Sequence, residues 1–146
     1  MMKQNILLEK NIILNLKPMS KEEAIIITGN LLVENGYVKE GYVEGMFERE
    51  KIYNTYIGNG IAIPHGTSAY KKEIIKSGIV VLQFKEAINY GENKAHLVIG
   101  IAGIGDEHLD ILSKIAITIE DMETVNKIVS SNSQSEIYNI LLSINN

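Results

Sequence analysis

The sequence predicts an α+β domain of three layers, α/β/α, in which a central mixed β-sheet is flanked by helices. Three observations carry this. Strand patterns cluster in the middle of the chain and helix patterns at its ends, which suits a sheet covered by helices better than strict alternation of strand and helix. Two runs, residues 78–84 and 97–102, are apolar almost throughout, as central strands covered on both faces are. Serine-to-glutamate capping boxes open the first and last helical patterns.

The elements follow in order. Residues 12–16 are a short apolar run with strand character. Ser20-Lys21-Glu22-Glu23 is a capping box, with Ser20 accepting from the Glu23 amide. It opens a helix whose inward face carries Ala24, Ile25, Thr28, Leu31 and Leu32 and which stops at Gly36. A second helix is expected over 39–51, with Val43, Met46 and Phe47 inward. Gly58-Asn59-Gly60 is a turn signal that pairs short strands at 55–57 and 61–63. The two buried strands come next. Asp106 then caps a helix carrying Leu109, Leu112, Ile115, Ala116 and Ile119. A shorter helix bears Val125, Ile128 and Val129. Ser133-Gln134-Ser135-Glu136 opens the last one, with Ile137, Ile140, Leu141 and Ile144.

Bulk properties narrow the function. At 146 residues the chain suits one domain, 1–146, with a single core. A formal net charge of −4 with scattered cations argues against a nucleic-acid surface and against a polybasic membrane patch. There is no cysteine, hence no disulfide framework or thiolate metal site. No apolar run approaches the roughly 20 residues of a membrane span. Met1-Met2-Lys3-Gln4-Asn5 lacks the features of a signal peptide. A cytoplasmic protein with no direct membrane insertion is expected.

The stretch Ile61-Ala62-Ile63-Pro64-His65-Gly66-Thr67-Ser68 is the most informative. A short strand ends at a proline, a histidine follows, and a glycine leaves room in front of it. A neutral imidazole held there is a nucleophile at physiological pH. The bland alternative is a hydrogen-bonded loop histidine. His108, in Gly105-Asp106-Glu107-His108, falls in the first turn of a helix, where free amides attract anions and the dipole disfavours imidazolium. Its alternative is an ordinary exposed residue. Arg49 ends the second helix and offers a fixed charge and a fork suited to phosphate oxygens, although a surface arginine is the default there. His96 reads as structural. Thr67 either binds a ligand oxygen or stabilises a turn. Gly100, Gly103 and Gly105 lack dinucleotide-loop spacing. No Walker motif or nucleophile elbow occurs, and His65 with His108 lacks a third zinc ligand.

Arg49-Glu50-Lys51, followed by Tyr56-Ile57-Gly58-Asn59-Gly60-Ile61-Ala62-Ile63-Pro64-His65-Gly66-Thr67, resembles the enzyme IIA domain of the mannitol/fructose class. That class belongs to the bacterial phosphoenolpyruvate-dependent sugar phosphotransferase system. The likeness also takes in residues 20–24, 31–38, 77–84, 97–102 and 105–115, nearly the whole chain. Thr67, Asn35-Gly36-Tyr37-Val38 and Glu107-His108-Leu109-Asp110 are similar to the mannitol-specific branch. The resemblance implies a phosphotransferase component with a mixed sheet flanked by helices. His65 would take a phosphoryl group from the phosphocarrier HPr and give it to a cysteine on the IIB domain of the mannitol permease. His108 would hydrogen-bond the phosphoryl oxygens and Arg49 would position the group. No cofactor or metal is implied, because the group arrives on another protein. A small, transient, mostly apolar docking surface around His65 is expected, at the low end of roughly 1,200 Å². Two further readings share the fold: a regulatory, nitrogen-type IIA paralogue, and a non-catalytic interaction module like the cytoplasmic domain of anion exchangers.

Overall fold

Side chains alternate across a strand, and that alternation decides the layers. In the computed structural model, which describes residues 6–142, the strand β4 (Gly78–Tyr90) sends Ile79 and Val81 to one face and Val80 and Leu82 to the other. Its partner β5 (Asn93–Ala102) does likewise with Leu97, Ile99 and Ile101 against Val98 and Ala102. Each face is closed by its own helices. Helices α1 (Lys21–Glu34) and α2 (Tyr42–Ile52) cover one face through Ala24, Ile25, Leu32 and Met46. Helices α3 (Glu107–Ile119), α4 (Met122–Ser130) and α5 (Gln134–Ile140) cover the other through Ile111, Ile115, Val125, Ile128 and Ile137. The expected α/β/α layering with a central mixed sheet is therefore present.

Three short strands complete the sheet: β1 (Ile12–Ile13), β2 (Tyr56–Gly58) and β3 (Ile61–Ala62), in the order β1-β4-β5-β3-β2. β1 and β3 run parallel to their neighbours β4 and β5, whereas β4–β5 and β2–β3 are antiparallel. β3 enters the sheet beside β5 and points its C-terminal end, Pro64 and His65, along the end of that strand.

Several element limits differ from the sequence expectation. β1 stops at Ile13 and not at residue 16, because Asn15 takes a left-handed φ of 55° and gives its N–H to the Gln83 side chain. β4 and β5 run on past the apolar runs as a hairpin arm, closed at the pair Tyr90–Asn93. There Lys85, Glu86 and Asn89 face solvent while Ile88 and Tyr90 face in, so the continuous apolar signal ends before the strand does. α2 starts at Tyr42, not at residue 39, and a 3-10 turn (Ser68–Glu73) precedes β4. Leu109 and Ala116 are exposed, a correction to the expected inward face of α3. The buried positions are Ile111, Ile115 and Ile119, one turn apart. In the capping boxes, Ser20 accepts from the Glu23 amide and Ser133 from the Glu136 amide. Asp106 stands at the head of α3, but its side chain makes no capping bond. Ile144, expected on the last helix, lies outside the described residues. Among the described residues no helix is long and apolar enough to cross a membrane.

Candidate active site

A recess of about 300 Å³ opens where the C-terminal ends of β3 and β5 meet α2 and α3; His65, Arg49 and His108 all line it. The three residues singled out in the sequence are thus brought together from three separate elements. Tyr42, Thr67, Ser68 and Lys71 share the walls.

His65 is fixed by its neighbours in sequence. Its Nδ1 lies 2.7 Å from the Ile63 carbonyl, an acceptor, so Nδ1 carries the proton and Nε2 keeps its lone pair. Burial holds the pKa of the ring below its usual value. The Ile63 carbonyl pulls it up, the charges of Arg49 and His108 push it down, and Glu50 raises it. The outcome is an uncharged, half-buried imidazole with a nucleophilic nitrogen to offer.

Pro64 does not end the pairing, as its missing N–H suggested. The Ile101 N–H donates to the Pro64 carbonyl at 3.0 Å, and His65 and Ile101 form an isolated parallel bridge. Proline removes a donor but leaves an acceptor, and this register uses only the acceptor. Gly66 also differs from expectation. The space over its α-carbon is taken by this chain's own Tyr42, since a Cβ there would lie 2.7 Å from Tyr42 Cε1.

Arg49, in the last turn of α2, donates from Nη1 to the Tyr53 carbonyl at 2.9 Å and stacks 4.3 Å over the Tyr53 ring. Its neighbour Glu50 is almost fully buried. It accepts from the Thr55 amide and from Tyr90, and pairs with Lys21 at 3.0 Å. That knot ties the end of α2 to α1 and the β4–β5 arm.

His108 lies in the first turn of α3 and its Nδ1 faces the Gly105 carbonyl at 3.2 Å. By the same reasoning Nδ1 carries the proton and Nε2 is an acceptor while the ring is neutral. The expected neutral ring thus spends its one donor on the Gly105 carbonyl, and Nε2 is the nitrogen left for a ligand. Gly103 is where backbone closeness matters, because a Cβ there would sit 2.4 Å from the His108 amide nitrogen. Ser77 accepts from the Ile104 amide at 2.9 Å and hydrogen-bonds Glu107, which ties down the loop before α3.

Lys71 and Tyr42 were missed. Lys71 donates to the Gly105 carbonyl at 3.1 Å from the opposite wall; nothing in its sequence surroundings marks it. Tyr42 had a usable signal, for it stands seven residues before Arg49, two helical turns away on the same face. Thr67 heads the 3-10 turn and gives its amide to the Gly45 carbonyl at 3.4 Å. His96 is set against the Phe84 carbonyl at 2.9 Å, in line with a structural role. Among the described residues no group of three or more His, Asp or Glu is placed to hold a metal ion.

Chemically, the recess offers a nucleophilic nitrogen, a fixed cation and a second imidazole around one small volume. That is the equipment for receiving a compact anion with an electrophilic centre.

Comparison with known proteins gives the same direction. The profile of the family described as "Phosphoenolpyruvate-dependent sugar phosphotransferase system, EIIA 2" matches residues 5–144. The mannitol-specific phosphotransferase enzyme IIA component of Bacillus subtilis (strain 168) is 47% identical over 141 residues, covering 96% of this chain and 99% of the relative. The protein of the same name from Halalkalibacterium halodurans is 48% identical over 144 residues, covering 99% of each. Among solved structures, the IIA chain in the complex of enzyme IIA-mannitol and phosphorylated enzyme IIB-mannitol from Escherichia coli superposes with a TM-score of 0.89. It shares 36% identity and covers 94% of this chain and 97% of that one.

Proposed function

Because the chain belongs to the EIIA 2 family of the phosphoenolpyruvate-dependent sugar phosphotransferase system, we propose that residues 1–146 form one phosphoryl-carrier domain with His65 as the accepting residue. It is a phosphotransferase component of mannitol transport, receiving the group from phospho-HPr and passing it to a cysteine of the IIB component. It does so in the cytoplasm, where phosphoenolpyruvate charges the donor. The observation that carries the reading is the Nδ1–Ile63 contact, which leaves Nε2 unprotonated inside the recess that Arg49 and His108 share.

The transfer follows from that geometry. The Nε2 lone pair attacks phosphorus in line, and the bond from phosphorus to its carrier on HPr breaks as the Nε2–P bond forms. The proton on Nδ1 stays with the Ile63 carbonyl, so the phosphorylated ring needs no new partner there. Charge on the phosphoryl oxygens is met by Arg49, whose Tyr53 contacts hold the guanidinium ready. His108 lines the same recess and would meet the phosphoryl oxygens through its ring. The amides of Gly66 and Thr67 already donate to Tyr42 and Gly45. The side chains therefore carry most of this stabilisation, each donor being worth about 3 kcal/mol at such a site.

Incubation with phosphoenolpyruvate, enzyme I and HPr tests this. The chain should gain one acid-labile phosphoryl mass, and His65→Ala should gain none. His108→Ala and Arg49→Lys should slow transfer about tenfold or more without abolishing it. A label that persists in His65→Ala refutes the assignment.

A further inference from the structure

A nucleophile on a turn is only as well placed as whatever lies beneath the turn. Here that is Tyr42, at the start of α2 and 2% exposed. Its Oη donates to the Ile101 carbonyl at 2.7 Å and accepts from the Gly66 N–H at 2.9 Å. On the other side of His65, Ile101 holds the chain directly, through its own N–H on the Pro64 carbonyl. One residue of β5 thus grips both flanks of the histidine, at residue 64 by a ladder bond and at residue 66 through a phenol.

We propose that Tyr42 is the positioning residue for His65, its hydroxyl relaying between the Gly66 N–H and the Ile101 carbonyl. The claim rests on the reading of His65 as the phosphoryl acceptor. In a regular parallel ladder the Gly66 N–H would donate straight to the Ile101 carbonyl. With the hydroxyl interposed, Gly66 stands one oxygen farther from β5, and the turn tips His65 toward the recess. The fit is tight, since the Tyr42 ring occupies the place where a side chain at residue 66 would begin. Gly66 does not have a positive φ, so its small size is required by this ring and not by its backbone angles. Burial pushes the Tyr42 phenol up to about 12, so it remains a donor at any working pH. Arg49 sits two turns farther along the same helix. α2 therefore sets the height of the ring and of the cation from one rigid body.

The test uses the whole chain with enzyme I, HPr and phosphoenolpyruvate. Tyr42→Phe keeps the ring and deletes the relay. The expected result is a fall in kcat for uptake from phospho-HPr of about ten- to a hundredfold, with KM little changed. Long-range ¹H–¹⁵N NMR should show the His65 ring moving from a single Nδ1–H tautomer toward a mixture, while the fold is retained. Gly66→Ala serves where Tyr42→Phe does not fold, since it keeps the hydroxyl and displaces the ring; the same kinetic and spectroscopic change is expected. His65→Ala is run beside them, and a label that survives there refutes the acceptor assignment, not the relay. The relay itself is overturned if either folded variant keeps the wild-type kcat and His65 ring spectrum. It is also overturned if the loss of rate matches a loss of folded fraction alone.

Discussion

The ring of His65 is poised by a contest between burial and a carbonyl, and pH reads the result. Burial holds the folded pKa below the ordinary value, with Arg49 and His108 pushing the same way and the Ile63 carbonyl and Glu50 opposing. The unfolded ring titrates near ~6.5. Below that pH the unfolded chain takes up a proton at this position that the folded chain still refuses. The contribution of His65 to stability is therefore fully present above about pH 6.5 and is lost as pH falls through the depressed folded value. His65→Gln removes this term. Urea unfolding of both proteins at pH 7.5 and pH 5 should show the wild type losing more stability than the variant, with a difference that changes by at most about 1.4 kcal/mol per pH unit. Equal losses would mean that the folded ring is not depressed. Not every residue of the site was equally legible. Pro64-His65-Gly66 announces a presented histidine by residue type alone. Tyr42 does not, because an aromatic side chain at the start of a helix looks like core until the glycine above it is known to be in contact.

At the scale of elements, α3 shows where periodicity runs out. Apolar residues at 109, 111, 112, 115, 116, 117 and 119 supply more than one plausible face, and the sequence reading took Leu109 and Ala116 as inward. The helix turns Ile111, Ile115 and Ile119 to the sheet instead, and Leu109 is left 55% exposed beside His108. Stability and transfer should therefore separate on this helix. Ile115→Ala opens a cavity in a full core and should cost about 2–5 kcal/mol in denaturant unfolding. Leu109→Ala should stay within about 0.5 kcal/mol of the parent but raise KM for phospho-HPr about fivefold, roughly 1 kcal/mol of contact. A Leu109 variant that unfolds easily and binds normally would put that side chain back in the core. The central strands were legible because both of their faces are covered, which leaves a continuous apolar signal. Their extension into the hairpin arm was not, since one side faces water and the pattern falls back to weak alternation. β1 was overextended because a left-handed Asn15 breaks a strand without changing the apolar run around it.

For the whole molecule, the placement of one nucleophile constrains how two partners use it. His65 lines a recess of about 300 Å³. A transferring phosphorus must come within about 3–3.5 Å of its Nε2. Donor and acceptor proteins therefore present their reacting groups at the same mouth. Exposed apolar side chains stand close to it: Ile52 in the wall, Tyr53 under Arg49, and Ile104 and Leu109 flanking Gly103 and His108 in sequence. A small, transient patch of that kind covers about 600 Å² on each partner, too little to seat two proteins side by side. On the proposed reading HPr and IIB exclude each other, and the phosphoryl group would rest on the proposed acceptor His65 between visits. IIB whose cysteine is replaced by serine binds without accepting the group, which makes it a clean competitor. Added to the phospho-HPr reaction, it should raise the apparent KM in proportion to its concentration and leave kcat unchanged. NMR perturbations from the two partners should overlap on Ile104, Leu109 and the 3-10 turn. If IIB lowers kcat at constant KM, the partners occupy separate faces and the shared mouth at His65 is not the point of docking.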